Sequence, residues 1–211
     1  MTPGTRNVGL VGAAGRIDVA IDRPDPAVPV RGLAVIAHPH PLYGGTRDNK
    51  VVQTLARALL ALGYVCWRPD FRGVGASEGT HDEGRGETED LLAVVAAARA
   101  EEAQGASLPL VLGGFSFGSA VQSRVAERLA QAGTPASRLV FIGTAVTRFP
   151  MAAVPADTVL IHGEVDDTVP LSAVLDWARP QDLPVIVMPG ADHFFHRKLT
   201  VLKQILLRAL S

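Results

Sequence analysis

The sequence predicts an α/β fold, a mostly parallel sheet with helices on both faces. From Gly32 onward, short apolar runs alternate with longer stretches of helical periodicity, the pattern of successive β–α units. Runs such as GLAVIA at 32–37 have the length and composition of strands buried on both sides. HPHP at 38–41, DFRG at 70–73, HGEVDD at 162–167 and GADHFF at 190–195 each follow such a run. Open α/β sheets carry their chemistry at these carboxyl ends of the strands.

The first segment departs from this rhythm. Residues 8–15 read VGLVGAAG, with glycines spaced like a loose dinucleotide fingerprint. Such a fingerprint must open a helix. Arg16 to Asp22 instead alternates polar and apolar residues, and Pro24, Pro26 and Pro29 exclude a helix beyond it. Two antiparallel strands joined at Ala13–Gly15 are expected, with no nucleotide site. Gly32 to Ala37 is the next strand, followed by an irregular loop through Gly45. Asn49 to Leu62 has helical spacing, with Asp48 as N-cap and Gly63 past the end. Tyr64 to Arg68 is a strand, and Asp70 to Gly75 a turn-rich loop. Helix follows from Glu87 to Glu102.

Leu110 to Leu112 then begins a strand that turns through Gly113 and Gly114 into a helix from Ala120 to Ala132. Strands are expected at Leu139–Ile142, Thr158–Ile161 and Pro184–Met188, and helices at Leu171–Ala178 and Phe194–Leu210. The stretch Gly143 to Asp157, with Pro150 and Pro155, has room for one short helix but no cap domain. An open, shallow cleft is expected, unless the loop Ser77–Gly86 covers it.

The 211 residues fit one domain, 1–211, with a sizeable core. The net charge of −1, with no block of like charges, gives no reason to expect a nucleic-acid or anionic-membrane partner. No run approaches the ~18 apolar residues of a membrane span. The N-terminal stretch lacks a clean apolar signal region, interrupted as it is by Arg16 and Asp18, so the cytoplasm is expected. The single cysteine, Cys66, excludes an internal disulfide and sits in an apolar run where a buried, inert thiol is expected.

Gly114-Phe115-Ser116-Phe117-Gly118 is a G-x-S-x-G pattern between strand and helix. A junction of this kind lifts one serine hydroxyl out of the sheet on a strained turn. The N–H of Phe117, at the helix start, then points where an oxyanion would form. Ser116 as nucleophile needs a base and an acid that orients the base. Ser, acid, His is the chain order found in this kind of junction, and two late segments supply it. His193 lies just off a strand end, whereas His196 is expected one turn into a helix. His81 and His162 read as a polar loop residue and a strand-end histidine held by hydrogen bonds. Asp166 and Asp167 compete as acid. Asp167 has another role available at the start of the helix after Pro170. Asp192 adjoins His193, and neighbours on a loop rarely face one another. Asp166 is the better candidate.

GFSFGS, HGEVDDTVP and GADHFF, with HPHPLYGGTRDNKVV and DFRGVGASEG, resemble the α/β-hydrolase superfamily, in particular its small bacterial branch of serine hydrolases. The resemblance covers nearly the whole chain. It implies Ser116 as nucleophile, His193 as base and Asp166 as acid, with no cofactor and no metal. It also implies hydrolysis of small-molecule carboxylic esters; thioester or peptide cleavage, or ligand binding without turnover, are the alternatives. In many relatives His-Gly follows the third strand, next to the second oxyanion donor. Here the pair is His38-Pro39, and neither Pro39 nor Pro41 has an N–H. The donor falls to His40, or else Leu42. The imidazoles of His38 and His40 lack a third ligand neighbour, so no metal is expected. Arg72 and Asp70 read as a structural turn. Phe115, Phe117, Phe149, Phe194 and Phe195 read as mostly core, with one or two walling an acyl pocket.

Overall fold

The computed structural model describes residues 4–102 and 107–211. The hydrophobic alternation of Arg16–Asp22 and the Ala13-Ala14 turn produce an antiparallel pair, β1 (Arg6–Gly12) and β2 (Gly15–Asp22). β3 (Gly32–Ala37), α1 (Lys50–Ala61), β4 (Tyr64–Pro69), α2 (Arg85–Glu101), β5 (Leu110–Phe115) and α3 (Phe117–Gln131) follow. β6 (Arg138–Ile142), β7 (Val159–Gly163), α4 (Leu171–Ala178), β8 (Val185–Met188) and α5 (Leu199–Leu210) complete the chain.

The eight strands form one sheet in the order β1-β2-β4-β3-β5-β6-β7-β8. β2 pairs antiparallel with both β1 and β4, and the other neighbours are parallel. Strand periodicity divides the core between two faces. In β3, Leu33 and Val35 join the residues packed under α2 and α3, while Ala34 and Ile36 join those under α1 and α5. Covering both faces is what allows β3 and β5 to be apolar throughout. No helix among the described residues is long and apolar enough to cross a membrane.

Four local expectations change. Gly113 and Gly114 stay in β5, paired with Val140 and Phe141, so the chain turns later, at Ser116. α3 therefore starts at Phe117 rather than Ala120. Asn49, not Asp48, caps α1: its Oδ1 accepts the Val51 N–H at 2.9 Å, while Asp48 faces Arg68 at 3.3 Å. The last helix begins at Leu199 because Phe195 and Arg197 take φ of 54° and 60°, which interrupts helical geometry. Between β6 and β7, residues 143–158 form turns with no helix and no cap.

The N-terminal hairpin is tied to the parallel sheet by a buried ion pair, Arg68 Nε to Asp22 Oδ2 at 2.7 Å. Arg68 Nη1 also donates to the Arg47 carbonyl at 2.8 Å. Removing one partner of such a pair leaves the other buried and uncompensated. Asp22→Ala is therefore expected to cost about 3–5 kcal/mol of unfolding free energy. Urea denaturation measures it; a loss below about 1 kcal/mol would mean the pair behaves as an exposed one.

Candidate active site

Ser116 occupies the junction between β5 and α3 with φ 54° and ψ −120°, strained for a residue with a Cβ. Its N–H donates to the Ile142 carbonyl at 2.9 Å. Its carbonyl accepts from the Ser119 N–H at 2.9 Å and the Ser119 hydroxyl at 2.6 Å. The flanking glycines are required by close backbone approach. A Cβ on Gly114 would lie 2.5 Å from the Ser119 nitrogen, and one on Gly118 would lie 2.4 Å from the Ala37 oxygen. The Phe117 N–H, at the first position of α3, is one of the donors a helix start leaves without an intrahelical partner.

Two other strand ends complete the arrangement. His193 follows β8 in a loop held by Ala191, whose N–H donates to Met188 and whose carbonyl accepts from Val165. The imidazole is buried and rests against the Phe115 ring, centroids 5.0 Å apart. Its Nε2 lies 3.1 Å from Ser116 Oγ, and its Nδ1 lies 2.7 Å from Asp166 Oδ2. Asp166, after β7, uses its other oxygen to accept the N–H groups of Thr168 (2.9 Å) and Val169 (2.7 Å). Burial alone would push this carboxyl up. The hydrogen bonds from His193 and Val169 outweigh that and hold it below the usual carboxylate range. The ionised Asp166 thus accepts a hydrogen bond from Nδ1–H, which keeps the proton on Nδ1 and leaves Nε2 facing the serine as an acceptor. Hydroxyl, imidazole and carboxylate form one continuous chain, largely shielded from water.

The remaining candidates fall elsewhere. Asp167 is exposed and among the described residues meets only the Thr168 hydroxyl, at 3.4 Å; α4 has no acid in its first turn. Asp192 turns to His196, Oδ2 to Nδ1 at 2.7 Å, on the exposed loop. His196 lies ahead of α5, not inside it, and this pairing is what occupies it. His162 is a buried strand-end histidine, its Nε2 2.8 Å from the Val169 carbonyl. Burial first, against that bond and Asp166, lowers its pKa, so it stays neutral beside the carboxylate.

The loop after β3 is stiffened by His38. Its Nε2 accepts the Phe71 N–H at 2.9 Å and its Nδ1 donates to the Pro39 carbonyl at 2.6 Å, so neither ring nitrogen is spare for a metal. The next residues form a short 3₁₀ turn, Pro41–Tyr43. The Leu42 N–H is engaged by His40 Nδ1 at 3.2 Å. Arg72 grips both oxygens of Asp90 at 2.8 and 2.9 Å and the Gly86 carbonyl at 2.7 Å, a structural clamp. Cys66 is buried, which pushes its thiol pKa up and keeps it inert.

Ser116 and His193 open into a cleft of about 290 Å³, walled by His40, Tyr43, Phe194 and Arg148. Phe194 is 45% exposed and faces it, whereas Phe115, Phe117 and Phe195 are core. Arg148 had no sequence signal, being a lone charged residue in a loop without periodicity or motif; Tyr43 lies within the HPHPLYGG stretch, but nothing there singles it out.

A family model described as Serine aminopeptidase, S33 matches residues 30–183. That span includes Ser116 and Asp166 but neither His193 nor the N-terminal hairpin. An α/β serine hydrolase without lid from Xanthomonas campestris is 37% identical, covers 100% of this chain and 95% of its own, and superposes with a TM-score of 0.89. An α/β serine hydrolase homologue from Coxiella burnetii is 35% identical over 99% of this chain and 98% of its own, with a TM-score of 0.85. An uncharacterized protein of Rickettsia prowazekii is 30% identical over 179 residues, 79% of this chain and 73% of the other. The chain belongs to this S33 serine hydrolase family, within the α/β-hydrolase superfamily.

Burial makes His38 a pH-sensitive element of this end of the sheet. Desolvation, against its bond to Pro39, lowers its pKa from 6.5 to about 4. The unfolded chain therefore binds more protons than the native state between those values, so stability rises with pH there. His162 is shifted the same way. Stability is expected to be full above about pH 6.5 and to fall by a few kcal/mol as pH drops toward 4. Urea midpoints at a series of pH values test this; a flat profile between pH 6.5 and 4.5 would show that His38 protonates without opening the fold.

Proposed function

We propose that this protein hydrolyses small carboxylic esters through an acyl-enzyme on Ser116. The observation that carries the reading is the unbroken chain from Ser116 Oγ to His193 (3.1 Å) to Asp166 (2.7 Å). Ser116 Oγ attacks the ester carbonyl as His193 Nε2 takes the hydroxyl proton. Asp166 holds the Nδ1 proton and offsets the imidazolium charge. The oxyanion is received by the N–H groups of Phe117 and His40. His40 is the better second donor because Pro39 and Pro41 have none and the Leu42 N–H is engaged. The C–O bond then breaks, and the leaving alcohol departs with the proton from His193. Water repeats the sequence: His193 takes its proton, the acyl group leaves as the acid, and the proton returns to Ser116. A thioester would follow the same path.

The family description favours a second reading, cleavage at a peptide amino terminus. Such a substrate presents an ammonium group close to the scissile bond. The residues lining the Ser116 cleft include Arg148 but no carboxylate. A cation there would lack a counter-charge, which is why esters are the preferred class. Hydrolysis of p-nitrophenyl esters set against aminoacyl p-nitroanilides distinguishes the two.

The two aspartates give a sharper test of mechanism. Asp166→Asn is expected to lower kcat about 10³-fold or more by presenting the wrong histidine tautomer, while Asp167→Asn changes it little. Ser116→Ala should abolish turnover to the level left by binding alone. Equal losses in D166N and D167N, or the reverse ranking, would move the acid role away from Asp166.

A further inference from the structure

Next to the Ser116 cleft lies a second depression of about 640 Å³. The two share His40, Tyr43 and Arg148. The His40 ring stands between them, stacked with Tyr43, Phe117 and Phe149 at centroid distances of 4.7, 5.0 and 5.4 Å. His81 packs on the same ring at 4.6 Å.

Three guanidinium groups line this depression: Arg85, Arg124 and Arg148. Arg148 is exposed and has no ion-pair partner among the described residues. Among the described residues Arg124 donates only to backbone, to the Pro150 carbonyl at 3.2 and 3.3 Å and to the Glu83 carbonyl at 3.2 Å. Its guanidinium is held in place, and no carboxylate among the described residues pairs with it. Arg85 does have acids, Asp82 at 2.8 Å and Glu83 at 3.7 Å. Glu87 is fully buried behind the site, spent on His81 and on the N–H groups of Asp82 and Gly84. Glu83 is the one carboxylate in the lining. The His40 pKa is lowered, chiefly by burial, with smaller contributions from His81 and Arg148 against the pull of Glu87.

Two arginines without a carboxylate partner among the described residues, Arg124 and Arg148, in a concave site with an aromatic wall, suit a carboxylate or phosphate. We propose that this depression binds an anionic group, carboxylate or phosphate, carried by the same substrate whose ester carbonyl sits at Ser116. The proposal rests on the catalytic reading of Ser116 given above. It makes the natural substrate an acidic ester. Arg148 is then the specificity residue, since it lines both the reacting cleft and the anion site.

Matched ester pairs test it. One pair puts the anion on the acyl side: mono-p-nitrophenyl adipate against p-nitrophenyl hexanoate. The other puts it on the alcohol side: 4-butyryloxybenzoate against its methyl ester. Each kcat/KM is divided by the rate of spontaneous hydrolysis. At least one pair should favour the anion by about 10-fold or more, the worth of one charge-assisted hydrogen bond. The pair that does so locates the charge. That ratio should fall toward one in Arg148→Gln, invert in Arg148→Glu, and shrink as salt is raised. Near-equal rates in both wild-type pairs would overturn the inference while leaving the esterase reading standing. A preference unchanged in both Arg148 variants would place the anion elsewhere and overturn it equally. If neither neutral nor anionic esters turn over, the catalytic reading fails and takes this inference with it.

Discussion

The structure depends on one strained residue at the middle of the sheet. Ser116 is held at φ 54° by its N–H bond to Ile142 on one side and by the Ser119 bonds to its carbonyl on the other. Such a conformation costs about 1–3 kcal/mol and persists only where the surroundings over-determine it. Here the surroundings are β3 and β6, the two neighbours of β5, together with the helix α3 that must start at Phe117. Gly118 lets that helix close on the Ala37 carbonyl, and Gly114 lets it close on the strand. A side chain at either glycine would push the helix start away and relax the turn.

Because β5 is central, the loops that matter come from its flanks. The end of β3 brings His38, Pro39 and His40 to one side, and the ends of β7 and β8 bring Asp166 and His193 to the other. Each loop is tied down by its own buried polar contact. His38 bridges to Phe71, Asp166 accepts Thr168 and Val169, and Ala191 links the two late loops. The imidazole is therefore oriented by backbone as much as by its carboxylate. The N-terminal hairpin contributes no residue to the cleft and attaches through the β2–β4 pairing and the Arg68–Asp22 ion pair. Residues 143–158 build no cap domain and contribute Arg148 to the wall of the Ser116 cleft.

Most of the fold was legible because its signals are periodic. Alternation announced β2, continuous apolar runs announced β3 and β5, and G-x-S-x-G marked the junction. The misplacements share one cause: tertiary contacts outbid local preference. Asp48 is as good a cap as Asn49 by type, but Arg68 draws it off. Phe194 to Lys198 has helical composition, yet the turn that presents His193 forces positive φ at Phe195 and Arg197. Ser116, His193 and Asp166 stood out as candidates because motifs and chain order restrict them, and their side chains lie together. Arg148 and Arg124 did not, since the depression they share with Arg85 joins α2, α3 and the stretch between β6 and β7, segments distant in sequence.

The central claim is that Ser116 is a nucleophile activated by His193. Labelling with a fluorophosphonate, followed by peptide mass spectrometry, reads it directly, since the probe phosphonylates an activated serine and no other hydroxyl at a comparable rate. The account predicts one adduct, on the peptide carrying Ser116, formed rapidly by the wild type and at least about 10²-fold more slowly by His193→Ala. An adduct on another serine, no adduct at all, or equal labelling in His193→Ala would contradict it.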